Sequence, residues 1–283
     1  MRLLLVVPAI ALLTASLIPV QWVSLALNLP LQRRIPVFYH RLLCRLIDVR
    51  VRVVGDRMRE HPLMIVSNHA SWLDITAITS VAPVVFVAKS EVARWPLFGL
   101  LARLQRSVFV DRTRRHSTAA VNAQIAQRLS SGDPVVLFGE GTSSDGNRVL
   151  PFRTALIGAA RDAMAQAGHV KRVWLQPMSI VYTGLLGIPL GRQHRPRIAW
   201  YGDFEIVPHL LAILRYGGID ATITWGAPVP FDETSDRKAV ARDLEWRARR
   251  MTAQALRGRV AGDEVHQPSQ PAEARAGALP EPA

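Results

Sequence analysis

With Cys44 as the one cysteine in 283 residues, the chain holds no intramolecular disulfide and no multi-cysteine metal centre, and its length suits one large domain with appendages. Its 35 Lys and Arg against 22 Asp and Glu leave a net charge of +13, which calls for a polyanionic partner, either nucleic acid or an anionic membrane surface.

The N-terminus decides between those partners. From Leu3 to Gln32 no residue is charged. As a helix the stretch would be about 45 Å long, against roughly 30 Å of bilayer hydrocarbon. Pro8, Pro19 and Pro30 interrupt it. A spanning helix and two short helices dipping into one leaflet therefore both fit, with Trp22 as an interfacial anchor. A cleaved signal peptide fits less well, because the apolar run continues past any cut near Thr14 or Ser16. Arg33, Arg34, Arg41, Arg45, Arg50, Arg52, Arg57 and Arg59 follow, opposed only by Asp48 and Asp56. This is the positive-inside pattern, so lipid explains the basic excess. No basic recognition helix or aromatic-studded sheet points to nucleic acid. The expected organisation is an apolar membrane anchor over 1–32, a basic juxtamembrane helix or linker over 33–59, an α/β domain over 60–260 and a disordered tail over 261–283. That tail is rich in Pro, Ala, Gly and acid.

Leu63 to Val66 is short, apolar and preceded by Pro62, which predicts a buried strand. Ser71, with Asp74 three residues on, forms the pattern of a capping box and predicts a helix from Trp72. His69 then lies in the connecting loop and Asp74 in the first helical turn. A loop histidine can fold back onto such a carboxylate, which would accept the Nδ1 proton and leave Nε2 to take a proton from a hydroxyl. On spacing alone, a helix-capping Asp74 and a hydrogen-bonded turn histidine fit better.

Beyond Asp74, apolar runs predict strands over Val84–Ala88, Ser107–Val110, Val135–Phe138, Val173–Val181, Arg197–Trp200 and Ala221–Trp225. Helical runs cover Ser117–Leu129, Thr154–Gln166 and Ser235–Arg257. The alternation predicts an α/β fold, a central, largely buried mixed sheet flanked by helices, with the N-terminal apolar helices as membrane anchor.

Four further stretches stand where strands end or bend. Asp111 and Arg112 close one strand, and an arginine there either forks onto a phosphate or carboxylate or belongs to a solvated basic turn. Gly139, Glu140, Gly141, Thr142, Ser143 and Ser144 follow an apolar run, as a close-approach loop with hydroxyl donors or as a glycine-rich turn. Pro177, inside an apolar run, predicts an edge strand or bulge. Trp95 to Gly99 would make an apolar wall or a kinked core helix. No stretch spells the nucleophile elbow of a serine hydrolase, the glycines at 184, 187 and 191 make no dinucleotide fingerprint, and the scattered histidines predict no metal site.

Taken in order, NHASWLD, VFVDR, FGEGTSS and WLQPMSI resemble the four motifs of the glycerolipid acyltransferase family, membrane enzymes that acylate lysophosphatidic acid and related lysolipids. WPLFG and LPFRTAL are similar to its linking segments, and the resemblance covers roughly residues 60–185. It implies an α/β domain on N-terminal apolar helices at the cytoplasmic face of the inner membrane. It implies acyl carrier protein or coenzyme A as the carrier of a thioester co-substrate, with membrane lipids as partners, no nucleic acid, and no metal or redox cofactor. It assigns His69 as general base and Asp74 as its orienter. Arg112, Glu140, Gly141, Thr142 and Ser143 would form the acceptor site. Two positions depart from the family pattern, Gly139 where proline is usual and Ser143 where arginine is usual. Ser143 and the following SDGNRVLPF are similar to enzymes that finish ornithine lipids, whose acceptor carries an amino acid headgroup. Family frequency places acylation of 1-acylglycerol-3-phosphate first and of lyso-ornithine lipid second, and a non-catalytic lipid-binding protein of the same fold stands as the alternative of another class.

Overall fold

The computed structural model describes residues 1–110, 118–154, 161, 164 and 171–258. The apolar N-terminus is one continuous helix, α1 (Arg2–Ala26), which runs through Pro8 and Pro19 without a break. After a turn ending at Pro30, α2 (Leu31–Ile47) packs against it and stops where Asp48 takes a left-handed conformation. Half of the expected basic linker is therefore helix. After it, β1 (Val49–Val54) enters the sheet and pairs in parallel with β8 (Ile219–Trp225), so the sheet begins before residue 60. VRVRVV alternates as an edge strand should, with Val49 buried and Arg50 outward on Asp220, Nε to Oδ1 2.8 Å.

The remaining strands are β2 (Leu63–Ser67), β3 (Val85–Lys89), β4 (Val108–Val110), β5 (Val135–Phe138), β6 (Val173–Leu185), β7 (Ile188–Pro189) and β9 (Val229–Phe231). Their order is β1-β8-β6-β2-β5-β3-β4, with β7 and β9 also on β6. β2 is parallel to both neighbours and β6 is antiparallel to β8, so the sheet is mixed, as expected. Every residue of β2 is buried. Met64 and Val66 face one apolar layer with Leu137 and Leu175, while Leu63 and Ile65 face the other with Val136 and Ile180. Two-sided burial is why these strands read as unbroken apolar runs.

The helices α3 (Leu73–Val81), α4 (Pro96–Leu104), α5 (Thr118–Ser130), α6 (Ile206–Tyr216) and α7 (Arg237–Leu256) complete the described fold. α3 starts one residue later than the capping pattern suggests, with Trp72 as its cap position. Most of the helical run expected over 154–166, and the expected tail, lie outside the described residues.

Two expectations are corrected. Arg197–Trp200 is no strand: Arg195–Arg197 form a 3-10 turn around Pro196, and the amides of Arg197 and Ile198 donate to carbonyls three residues back. Ile198 and Ala199 are apolar because the turn drops them into the core, at 1% and 0% exposure. Pro177 lies in the central strand β6, where its partner changes from β9 at Leu175 to β8 at Met178. Its carbonyl accepts from Gly226 at 2.9 Å, and on that side no ladder partner needs the amide hydrogen that proline lacks. The Gln176 side chain fills the gap, donating to the carbonyls of Asp56 and Gly226 and accepting from the Met58 amide.

Chain order places the site. From β2 the chain passes through α3 to β3, on the far side of β5, whereas from β5 it returns to β6, on the far side of β2. Loops leave the carboxyl ends of these two neighbours in opposite directions, which opens a crevice between them.

Candidate active site

β2 hands over to the loop through Asn68, whose side chain both donates to the carbonyl of Ile180 (2.8 Å) and accepts from its amide (2.9 Å). Strand pairing with β6 ends at Ser67, so this two-point bond extends the hold by one step and fixes where His69 emerges. The ring of His69 stacks on Phe138, the last residue of β5, with centroids 3.9 Å apart and 17° between planes. Its side chain keeps 18% exposure.

Asp74 is fully buried in the first turn of α3. Its Oδ2 accepts from His69 Nδ1 (2.8 Å) and from the amides of Ala70 (2.8 Å) and Ser71 (3.1 Å), and its Oδ1 accepts from the Tyr182 hydroxyl at 2.5 Å. These donors, with the helix N-terminus, offset the cost of burying a carboxylate without a cation. Burial, then the charge of Asp74, hold the Tyr182 phenol well above its ordinary pKa, so Tyr182 remains a donor. An acceptor on Nδ1 makes that nitrogen the N–H, and Nε2, which has no partner among the described residues, becomes the lone-pair nitrogen. One oxygen of Asp74 thus holds both the loop amides before α3 and the His69 ring.

The main chain of His69 is held from the β5 side. Glu140 Oε1 accepts its amide at 3.2 Å, and its carbonyl accepts from the amide (2.8 Å) and hydroxyl (3.1 Å) of Ser144. Glu140 is 2% exposed, and burial pushes its carboxyl up to about 8 against the opposing pull of the His69 and Leu150 amides. The carboxyl faces the His69 backbone and not the cavity. Glu140, expected at the acceptor site, is thus bonded to the His69 main chain and is not among the residues that line the cavity, and the chain turns at Gly141 (φ +68°) directly after it. Gly141, Thr142 and Ser143 do line the cavity that His69 faces. Arg112 lies outside the described residues.

That cavity measures about 780 Å³ and runs from His69 between α1, α2, α4 and α6. Its walls are apolar, with Leu17, Ile35, Phe98, Leu101 and Leu210 among them. Its lining also carries both signs of charge on exposed residues, Lys89 and Arg153 with Glu91 and Asp203. Trp95, Leu97 and Phe98 belong to it, so WPLFG is both a helix start and an apolar wall. Among the described residues no group of three or more His, Cys, Asp and Glu side chains is placed to hold a metal ion.

Asn68 and Tyr182 were not singled out by sequence reasoning, and Phe138 and Ser144 were read only as the strand end and the hydroxyl loop, not as supports of His69. Asn68 and Ser144 stand inside the recognised motifs NHASWLD and FGEGTSS and could have been found there; Tyr182, 108 residues from its partner, left no local signal.

The acyltransferase family model matches residues 50–181. The chain is 50% identical over 258 residues to a lyso-ornithine lipid O-acyltransferase of Brucella abortus, covering 91% of this chain and 96% of that one. It is 49% identical over 243 residues to a protein of the same description from Rhizobium meliloti, covering 86% and 83%. In fold it is similar to a 1-acyl-sn-glycerophosphate acyltransferase from Thermotoga maritima, with TM-score 0.55, 21% identity and 78% of each chain covered.

Proposed function

We propose that this chain, which belongs to the acyltransferase family of lysolipid-acylating enzymes, moves a fatty acyl group from a thioester to the hydroxyl of lyso-ornithine lipid. What carries the choice of acceptor is near-full-length similarity to enzymes described as acting on that lipid. Lysophosphatidate, placed first on family frequency, gives way to it. Ser143 supports the change, since a phosphate acceptor would gain from the arginine usual there. The acid Asp203 in the cavity lining adds support, because it suits a zwitterionic headgroup better than a phosphate.

In this reading Nε2 of His69 takes the proton of the acceptor hydroxyl as its oxygen attacks the thioester carbonyl. Asp74 stabilises the imidazolium that forms. The tetrahedral intermediate collapses with cleavage of the carbon–sulfur bond, and the imidazolium proton passes to the departing thiolate. Thr142 and Ser143, which line the same cavity as His69, would supply hydroxyl donors to the oxyanion. The thioester arrives activated, so the chemistry asks for a base, oxyanion donors and a place for two lipids, and for no metal or redox group. Acyl carrier protein or coenzyme A would present it.

The fold supports a membrane helix lying in the bilayer plane. Arg2 Nη2 donates to the carbonyl of Ile47 (2.8 Å), and Gln21 Nε2 to that of Leu104 (2.7 Å). These ties are about 28 Å apart along α1, close to the hydrocarbon thickness. A crossing α1 would draw the ends of α2 and α4 into lipid with it. Lying flat, it turns Leu4, Leu5, Leu12 and Trp22 outward and keeps Val6 and Ile10 on the protein. The catalytic face would sit on the cytoplasmic side of the inner membrane, where its cations meet anionic lipid.

The test offers purified enzyme, with acyl carrier protein loaded with a labelled chain, lyso-ornithine lipid and lysophosphatidate together. Labelled ornithine lipid is expected as the main product. Labelled phosphatidate without it would overturn the choice of acceptor.

A further inference from the structure

An N-acylated ornithine keeps its carboxylate and one amine. Drawing that carboxylate towards the apolar cavity demands a cation, and position 143, where the family usually has arginine, holds serine. Two lysine or arginine side chains line the cavity, Lys89 and Arg153. Lys89 already pairs with Glu91, Nζ to Oε1 2.9 Å. Arg153 makes no ion pair among the described residues.

Arg153 is also built in. The preceding residue, Phe152, is buried, with its ring filling the space that a side chain at Gly139 would take, 2.7 Å from where a Cβ would stand. The Phe152 amide donates to Glu245 Oε2 (2.9 Å) and the Arg153 amide to the Gly139 carbonyl (2.8 Å), which locks the root of the side chain to α7 and to the end of β5. From there the side chain turns back across Gly141. A Cβ on Gly141 would stand 2.9 Å from both Cδ and Nε of Arg153. The glycine therefore serves the arginine as well as the turn, and the guanidinium shares a wall with Thr142, Ser143 and His69.

We infer that Arg153 binds the carboxylate of the acceptor headgroup and is a specificity-determining residue for the acceptor. The inference rests on the lyso-ornithine reading. A planar fork matches a carboxylate with two parallel hydrogen bonds, which a lysine cannot reproduce.

The experiment crosses variant with acceptor. Wild type, Arg153→Ala and Arg153→Lys are assayed on N-(3-hydroxyacyl)ornithine and on N-(3-hydroxyacyl)-1,4-diaminobutane, which keeps chain, amide, hydroxyl and ammonium and lacks only the carboxylate. Arg153→Ala is expected to raise KM for the first about ten- to hundredfold with kcat little changed, and to leave kcat/KM for the second within about twofold. Arg153→Lys should recover part of the loss. An equal loss on both acceptors, or an unchanged KM on the first, would overturn the assignment. Failure of the underlying reading looks different, since wild type itself would then leave both N-acyl acceptors unacylated. Arg153 is exposed, so the variants should fold, and equal thermal midpoints check that.

Discussion

The two walls of the cavity are made in opposite ways. On the sheet side, the groups that hold the reacting centre are tied by directed bonds: Asp74 to His69, Ala70, Ser71 and Tyr182, and the His69 main chain to Glu140 and Ser144. On the helical side, α1 and α2 meet through apolar contact with few directed bonds, Thr14 to Tyr39 at 3.1 Å among them. Bonds of the first kind fix an atom to within tenths of an ångström, as proton transfer requires. Packing of the second kind tolerates chains of varied shape and lets an apolar face meet lipid. Changes on the sheet side should therefore strike the rate, and changes on the helical side should strike access from the membrane.

The sharpest break comes from Asp74→Asn, which keeps the shape and removes the charge. An enzyme built on the dyad should lose about 10,000-fold in kcat while still binding vesicles. Rate and binding falling together, measured by turnover and vesicle sedimentation, would merge the two walls into one structural unit.

The sheet side was largely legible in the sequence, for a local reason. β2 is an apolar pentapeptide closed by Ser67, and the histidine, the cap and the aspartate follow within seven residues, so strand end, loop and first turn could be read off directly. What supports them could not be read in that way. Tyr182 and Ile180 arrive from β6 more than 100 residues later, and only the strand order brings them to Asp74 and Asn68. β1 was hidden because its arginines, read as membrane-facing charge, are the outward half of an edge strand. Arg197–Trp200 misled for the opposite reason, as a core-filling turn is as apolar as a strand. Glu140 was found, but not its bond to the His69 main chain.

Glu140 separates a positioning role from contact with substrate. Its raised pKa means that the folded state holds the proton more tightly than the unfolded one. The resulting stability is full below about pH 4.5 and is lost as pH rises through about 8, on the order of a few kcal/mol. Denaturant midpoints of wild type should fall over that range, and Glu140→Gln should flatten the fall. An unchanged slope in the variant would place the carboxyl in solvent.

Tyr182→Phe leaves Asp74 Oδ1 buried without its donor. Denaturation should show a loss of about 2 kcal/mol, and turnover should fall less than with Asp74→Asn. No loss of stability would mean that the tyrosine hydroxyl is not a structural partner.

The smallest effect belongs to the helical side. Trp22 is 65% exposed on α1, and Trp22→Ala should weaken binding to anionic vesicles several-fold without altering turnover in detergent micelles. A changed micellar rate would carry α1 into the chemistry.

Removal of the hydroxyl proton by His69 is tested by the single-turnover rate of labelled acyl transfer to lyso-ornithine lipid in His69→Ala. The rate should fall about a thousandfold or more, with vesicle binding and thermal midpoint preserved. A folded, membrane-bound variant that transfers the acyl group within tenfold of the wild-type rate would contradict it.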